Sequence, residues 1–162
     1  MTIFHYKLAA VTLLALGGCA TSITRFAGVE GVAQSFCAAI TANDEAKAEG
    51  LMSDSLRVAI AKARAASRAF EIANPGDKPP LGDGLPLAAY PDVPSDCRPS
   101  DVSANSVALN YGFVSDPKAG WQDRLVVEQS PAGTMVIADI LYGPNHEDRL
   151  SEVLARVARG LD

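Results

Sequence analysis

Two aspartates interrupt apolar runs in the C-terminal third of the chain, and their type and position suit acid–base chemistry. Asp123 lies in WQDRLVVEQ, and Asp139 lies in TMVIADILY. A carboxyl group enclosed in an apolar cavity can act as a general acid or base, because burial disfavours its charged form. Tyrosine hydroxyls beside such a group donate to a developing oxyanion. The residues that could line this pocket are Tyr111, Trp121, Asp123 and Tyr142.

The strands that carry these aspartates also offer Asp139 a structural role. The sequence SPAG, between these two stretches, favours a four-residue hairpin turn that joins them. A register that starts at Thr134, directly after this turn, places Arg124 opposite Asp139 and Trp121 opposite Tyr142. Opposite charges directly across a strand pair are favourable. We therefore predict a structural ion pair between Arg124 and Asp139 and assign no catalytic residue, with catalysis by an aspartate as the alternative.

The cysteine that ends the N-terminal apolar run is a third chemically distinctive residue. Lys7 precedes an apolar core of about a dozen residues, which is shorter than the roughly 20 that a membrane-spanning helix needs and is typical of a secretory signal. The end of this run, LGGC (16–19), resembles the lipobox of bacterial lipoproteins, whose cysteine thiol receives diacylglycerol. The resemblance implies a signal peptide over 1–18, lipidation at Cys19 and a lipidated tether over 19–25. An ordinary signal peptide with a chance cysteine is the alternative.

The same resemblance implies a place in the cell. Two or more acyl chains hold a protein stably on a membrane. Ala20 follows Cys19, whereas lipoproteins retained at the inner membrane typically have aspartate there. We therefore expect a lipid anchor in the outer membrane with the protein facing the periplasm; the inner membrane and the cell surface are alternatives. The expected partners are the membrane, through the lipid on Cys19, and an envelope protein.

Composition argues against several classes of ligand. The formal net charge of −5 is a poor match for nucleic acid, which binds basic patches. His146 is the only histidine left after signal removal, and we expect it in an exposed region before the last helix. No zinc, calcium or nucleotide-binding motif is present in the sequence. We therefore expect no cofactor, no metal and no nucleic acid.

Two cysteines remain in the mature chain, Cys37 and Cys97. An even number of cysteines in an exported protein favours a disulfide. Closing a loop of about 60 residues is worth about 4 kcal/mol in the chain-entropy account. Two free, buried cysteines are the alternative.

Helical periodicity marks both ends of the mature chain. A first helix is predicted from Phe26, with Asp44 as the N-cap of a short second helix and a longer third helix over 53–74. A closing helix is predicted over 147–161. The apolar stripes of the first, third and closing helices are Val29, Ala33, Phe36, Cys37 and Ile40; Leu56, Ile60, Ala63, Ser67 and Phe70; and Leu150, Val153, Leu154, Val157, Ala158 and Leu161.

Between the helices lies a segment, 75–99, that holds seven of the ten prolines. Proline excludes a helix and a central strand there, but the apolar side chains of the segment favour burial. We predict an ordered loop with a brief strand at 85–88. After it the period changes to two, with Val107, Leu109, Tyr111 and Phe113 on one face. Helices, loop, antiparallel strands and a final helix predict one α+β domain over 26–162.

This layout resembles the nuclear-transport-factor-2-like superfamily, in which helices pack on a cone-shaped antiparallel sheet. The resemblance covers about residues 26–159 and is carried by the helix pair in ITANDEAKAEGLMSDSLRVAI, the hairpin GWQDRLVVEQSPAGTMVIADILYG and the closing helix. Small bacterial envelope domains of unknown function are the most similar group. Such cones serve as isomerases, dehydratases, ligand carriers and interaction subunits. We expect a non-enzymatic binding or accessory module for an envelope protein or small ligand; the alternative is a cone-fold enzyme, isomerase- or dehydratase-like, with a pocket aspartate.

Overall fold

A computed structural model describes residues 20–116, 118–143, 145 and 148–160. Cys19, the rest of the lipobox and His146 lie outside these residues, so the predictions about them stay predictions. The elements, in chain order, are α1 (Ala20–Thr41), α2 (Glu45–Gly50), α3 (Asp54–Ala73), β1 (Asp96–Ser100), β2 (Ser106–Gly112), β3 (Gly120–Gln129), β4 (Met135–Tyr142), β5 (Asp148–Arg149) and α4 (Leu150–Ala158).

The strands form one curved antiparallel sheet in the order β1-β2-β3-β4-β5, with helices at both ends of the chain packed on it. Each strand pairs with its neighbour in sequence. Phe36 of α1, Ile60 of α3 and Leu154 of α4 share one core with Leu109 and Leu125 of the sheet. The predicted α+β class is confirmed. No helix in the described ranges is long and apolar enough to cross a membrane.

The first two helices follow the predicted pattern except at the start of α1. Asp44 caps α2 by accepting a hydrogen bond from the N–H of Lys47 at 2.9 Å. Helix α1 begins at Ala20, so the residues from Ala20 onward in the expected tether over 19–25 are helical. The stretch from Ala20 to Ala27 contains neither proline nor glycine to stop a helix from extending toward the N-terminus.

The last two helices match their predicted stripes over most of their length. Ser53 caps α3, accepting from the N–H of Leu56 at 3.3 Å. Helix α4 starts at Leu150, later than predicted, because Asp148 and Arg149 pair with the end of β4 as a short strand. The side chains that α3 and α4 bury are Leu56, Ile60, Ala63, Ser67, Leu150, Leu154 and Val157.

The proline-rich segment is an ordered loop only as far as residue 95. Its last residues form the edge strand β1 and no strand forms at 85–88, so the predicted end of the loop at 99 and the predicted brief strand are wrong. Pro99 is tolerated in β1 because an edge strand has one side without a ladder partner. Cys97 in β1 is joined to Cys37 in α1 with 5.2 Å between their Cα atoms, which confirms the predicted disulfide.

The loop of the β3–β4 hairpin is one residue shorter than predicted. Ser130 N–H donates to the carbonyl of Thr134 and Gly133 N–H donates to the carbonyl of Ser130, both at 2.8 Å. Gly133 has φ +84°, so the loop is a type I turn followed by a left-handed residue, a common three-residue hairpin. Pairing therefore begins with Gln129 opposite Met135.

A β-bulge in β4 shifts the register a second time. Val127 pairs with Ile137 but Val126 pairs with Asp139, so one extra residue of β4 lies between them. Arg124 consequently pairs with Leu141. The predicted ion pair between Arg124 and Asp139 is wrong, and the same shifts move Trp121 out of register with Tyr142.

Candidate functional site

The carboxylate of Asp123 joins three parts of the fold. Asp123 is fully buried on the inner face of β3. Its Oδ2 accepts hydrogen bonds from the backbone N–H of Ala89 at 3.0 Å and from Trp121 Nε1 at 3.1 Å. Its Oδ1 accepts from the N–H of Gly143 at 2.9 Å. The carboxylate therefore holds the proline-rich segment and the turn after β4 against the sheet.

Aromatic rings pack around this carboxylate. Trp121 stacks on its cross-strand partner Tyr111 with 4.8 Å between ring centroids. Tyr90 meets Trp121 edge-on at 5.3 Å, and Phe113 meets it at 5.7 Å. The structure thus brings the predicted pocket residues Tyr111, Trp121 and Asp123 together, but they pack against one another and against the proline-rich segment.

The two predicted tyrosine donors differ in their surroundings. Tyr142 donates a hydrogen bond to the carbonyl of Pro86. The hydroxyl of Tyr111 is buried and has no hydrogen-bond partner among the described residues. Burial, and secondarily the charge of Asp123, raises the pKa of both phenols above the ordinary value. Both therefore remain protonated at physiological pH, and Tyr142 keeps its donor role.

Asp139, the other candidate base, holds the start of α4. Its Oδ1 accepts from the N–H of Ile140 at 2.9 Å and of Ser151 at 3.0 Å, and its Oδ2 accepts from Ser151 Oγ at 2.7 Å. Arg149 Nη1 lies 3.9 Å from the same carboxylate. The first N–H groups of a helix lack intrahelical partners and favour a nearby negative charge. Asp139 is therefore structural, with Arg149 and Ser151 as partners, while Arg124 reaches Ser106 Oγ at 3.3 Å.

Residues 80–94 contact α2, α3, β3 and β4, and we refer to them as the strap. The N–H of Leu85 donates to Glu45 Oε2 at 2.9 Å, and Glu45 is in turn bound by Arg64 at 2.6 Å. The N–H of Leu81 donates to Ser67 Oγ at 3.1 Å. Side chains replace the ladder bonds that a proline-rich backbone cannot form, since buried backbone groups require partners. These anchors were not identified from the sequence, where nothing marks a partner 40 residues away.

A cleft of about 340 Å³ lies between the strap and the ends of α1, α2 and α4. Ile40, Val153 and Val157 contribute apolar side chains from the helices. Tyr90 and Val93 line its strap side and are 58% and 47% exposed. None of the four predicted pocket residues lines this cleft. Tyr142 lines a second, more open depression of about 520 Å³, with Gly143 and Arg156, which shares residues 86 and 88–90 of the strap.

The open space therefore differs from the expected site. The predicted pocket residues Tyr111, Trp121 and Asp123 lie where the strap and the aromatic rings pack against the sheet. The cleft lies on the helix side of the strap, and its lining comes mainly from a segment whose path the sequence did not predict. Within the described ranges, no group of three His, Cys, Asp or Glu side chains is placed to hold a metal ion.

Comparison with known proteins gives no assignment. The chain matches no protein-family model, no curated protein and no solved structure. Functional assignment therefore depends on the chemistry of the chain itself.

Proposed function

We propose that this protein is a lipid-anchored, periplasm-facing lipoprotein of the outer membrane and a non-enzymatic binding or accessory module for an envelope component. The LGGC sequence at 16–19 supports the anchor on Cys19. The α+β layout supports a relationship to nuclear-transport-factor-2-like domains, many of which bind ligands or partners without catalysis. The binding surface is the cleft beside the strap.

The observation that carries the non-enzymatic assignment is the engagement of Asp123. A general base must lie within hydrogen-bond reach of the substrate proton it removes. The carboxylate of Asp123 already accepts from Ala89, Trp121 and Gly143. A substrate would have to displace the strap and the Trp121 indole to reach it. The inner face of the sheet is thus used for structure, which favours binding over catalysis.

The cleft has the features of a binding surface. Its volume of about 340 Å³ falls at the lower end of the range that holds small ligands or one or two side chains of a partner. Tyr90 and Val93 expose apolar surface at its edge, and partly exposed aromatic and apolar side chains around a concavity are typical of recognition sites.

The anchor is tested by Cys19→Ser. The variant is expected to accumulate as unprocessed precursor and to take up no labelled palmitate, because the acceptor thiol is absent. The wild-type chain is the control. Maturation and membrane fractionation like wild type would contradict the lipoprotein assignment.

The cleft is tested by Val93→Trp, which fills its edge with an indole. Val58→Trp is the matched control, because Val58 is 54% exposed and lies on α3 outside the cleft lining. Chemically crosslinked, intact envelopes are purified through an affinity tag on each variant. We expect a specific crosslinked component with wild type and Val58→Trp and its loss with Val93→Trp. Equal recovery from all three would contradict the proposal.

A further inference from the structure

The cleft beside the strap has a negative rim. Asp44, Glu45, Asp83 and Asp92 line it, and its described lining contains no lysine, arginine or histidine. Arg64 pairs with Glu45, and Lys78 pairs with Asp83.

Asp44 and Asp92 are both exposed and form no ion pair with a described residue. Two carboxylates of this rim are therefore available to a cation.

The strap wall of this cleft has few hydrogen-bond donors. Four of its lining positions are proline, which has no N–H. At four others the N–H already donates within the protein: to carbonyls from Gly84 and Leu87, and to carboxylates from Leu85 and Ala89. More than half of the strap positions that line the cleft thus offer no free N–H, which favours a ligand that supplies its own donors. The prolines are Pro80, Pro86, Pro91 and Pro94.

The apolar side chains that line the bottom of the cleft, which we refer to as its floor, favour a ligand with an apolar group. Ile40, Leu87, Val153 and Val157 line the cleft, and Val93 leaves 47% of its surface open to solvent at the edge. Burying one aliphatic side chain of a partner against such a surface is favourable, because it removes apolar area from water. An ion alone would leave this surface unused, and a purely apolar ligand would leave the rim carboxylates without a partner.

We propose that the cleft binds a short peptide segment of an envelope protein in which an aliphatic side chain is adjacent to lysine or arginine. The aliphatic side chain packs on the floor, the cation faces Asp44 and Asp92, and the peptide N–H groups donate to the strap carbonyls. A peptide supplies all three features in one ligand, whereas a small amine lacks the backbone donors. This inference rests on the proposed function, because it specifies the ligand of the same cleft.

The test uses full-length mature protein in neutral detergent and isothermal titration calorimetry. The probes are the capped peptides acetyl-GLKLKG-amide and acetyl-GLELEG-amide, with hexylamine as the small amine. We expect saturable binding of the basic peptide only, weakened at higher salt as ion pairs are screened. Binding of the acidic peptide with similar affinity, equal binding of hexylamine, or no binding of the basic peptide would each overturn the inference.

The charge requirement is tested by the double variant Asp44→Asn/Asp92→Asn. Asparagine is as good an N-cap as aspartate, so α2 is preserved. The matched control is Glu71→Gln/Glu128→Gln, which removes two exposed carboxylates outside the cleft lining. Exposed ion pairs are individually weak, so we expect the Kd for the basic peptide to rise about 3- to 10-fold in the double variant and little in the control. Asp92→Asn alone, in the exposed strap, is expected to give part of this rise without touching a helix cap.

Equal effects in the two double variants would show that only overall charge matters and would overturn the inference. The proposed function can survive that result. If Val93→Trp removes the crosslinked envelope component while Asp44→Asn/Asp92→Asn retains it and binds the basic peptide like wild type, the cleft is a binding surface but does not select cations.

Discussion

Replacing Asp123 with asparagine separates a structural carboxylate from a catalytic one. From the described residues, the two oxygens of Asp123 accept hydrogen bonds from Ala89, Trp121 and Gly143. An amide has one acceptor oxygen. If that oxygen takes the Oδ2 position, the bonds from Ala89 and Trp121 survive as neutral bonds, but the amide NH₂ faces the N–H of Gly143. The reverse orientation loses two bonds.

The expected loss follows from these counts. A hydrogen bond to a charged group contributes about 1.5–3 kcal/mol, and stranding a buried donor costs about 1–3 kcal/mol. Relief of the desolvation of a buried carboxylate offsets part of this sum. We expect Asp123→Asn to lower the free energy of unfolding by about 3 kcal/mol, which corresponds to a fall in melting temperature on the order of 10 °C for a domain of this size.

Urea and thermal unfolding measure the loss, and limited proteolysis reports release of the strap. Glu128→Gln is the control, because it makes the same change of charge on the same strand at an exposed position and is expected to stay within about 0.5 kcal/mol of wild type. Cleavage near Tyr90 is expected to accelerate in Asp123→Asn alone. An unchanged or higher stability would refute the hydrogen-bonding role and favour a carboxylate held at an energetic cost for catalysis.

Three further changes test other parts of the structure. Replacing both disulfide cysteines with serine is expected to lower stability by about 4 kcal/mol, and free thiols in the freshly purified oxidised protein would contradict the pairing. Tyr142→Phe is expected to lose about 1–2 kcal/mol by stranding the Pro86 carbonyl, while Tyr111→Phe is neutral or stabilising; equal losses in urea melts would be inconsistent with the contacts. The losses from Arg124→Ala and Asp139→Ala are expected to add within about 0.5 kcal/mol in a double-mutant cycle, whereas strong coupling would restore the originally predicted pair.

The helices could be predicted from the sequence because their signals are local. The buried stripe of α3, from Leu56 to Ser67, repeats every three to four residues, and the Asp44 cap lies three residues from the N–H it binds. The disulfide was equally accessible, because Cys37 and Cys97 are the two cysteines outside the predicted signal and lipobox. The helix stripe and the cap depend on residues that are close in the sequence, and the disulfide prediction depended only on the number of cysteines. None of these predictions required knowledge of the tertiary structure.

The hairpin register depends on details that hydrophobic patterns do not carry. SPAG followed by threonine is compatible with a three-residue or a four-residue loop, and the left-handed conformation of Gly133 selects the shorter one. The bulge after Ile137 coincides with its pairing to the 51–53 segment, where its backbone bonds Leu51 and Ser53. A one-residue error at the turn and another at the bulge were enough to assign Asp139 the wrong partner.

The site was the least predictable part because it depends on where an irregular segment lies. Alternation placed Tyr111 on one face with Val107 and Leu109, and all three are buried in the structure, as is the carboxylate of Asp123. It could not show that Ala89 of the strap would reach that carboxylate, or that Glu45 and Arg64 would hold the strap from the helix side. These contacts decide that the inner face is packed and that the open cleft lies elsewhere.

Site-specific photocrosslinking in living cells tests the central claim most directly. A benzophenone amino acid is introduced at Val93, on the cleft edge, or at Val58, which is similarly exposed on α3. If the protein is a binding module, a discrete crosslinked envelope component is expected from position 93 and none from position 58. The component from position 93 is expected to persist when the buried carboxylate is changed by Asp123→Asn, at a temperature where that variant stays folded. Identical crosslinking patterns from the two positions would contradict the binding-module proposal.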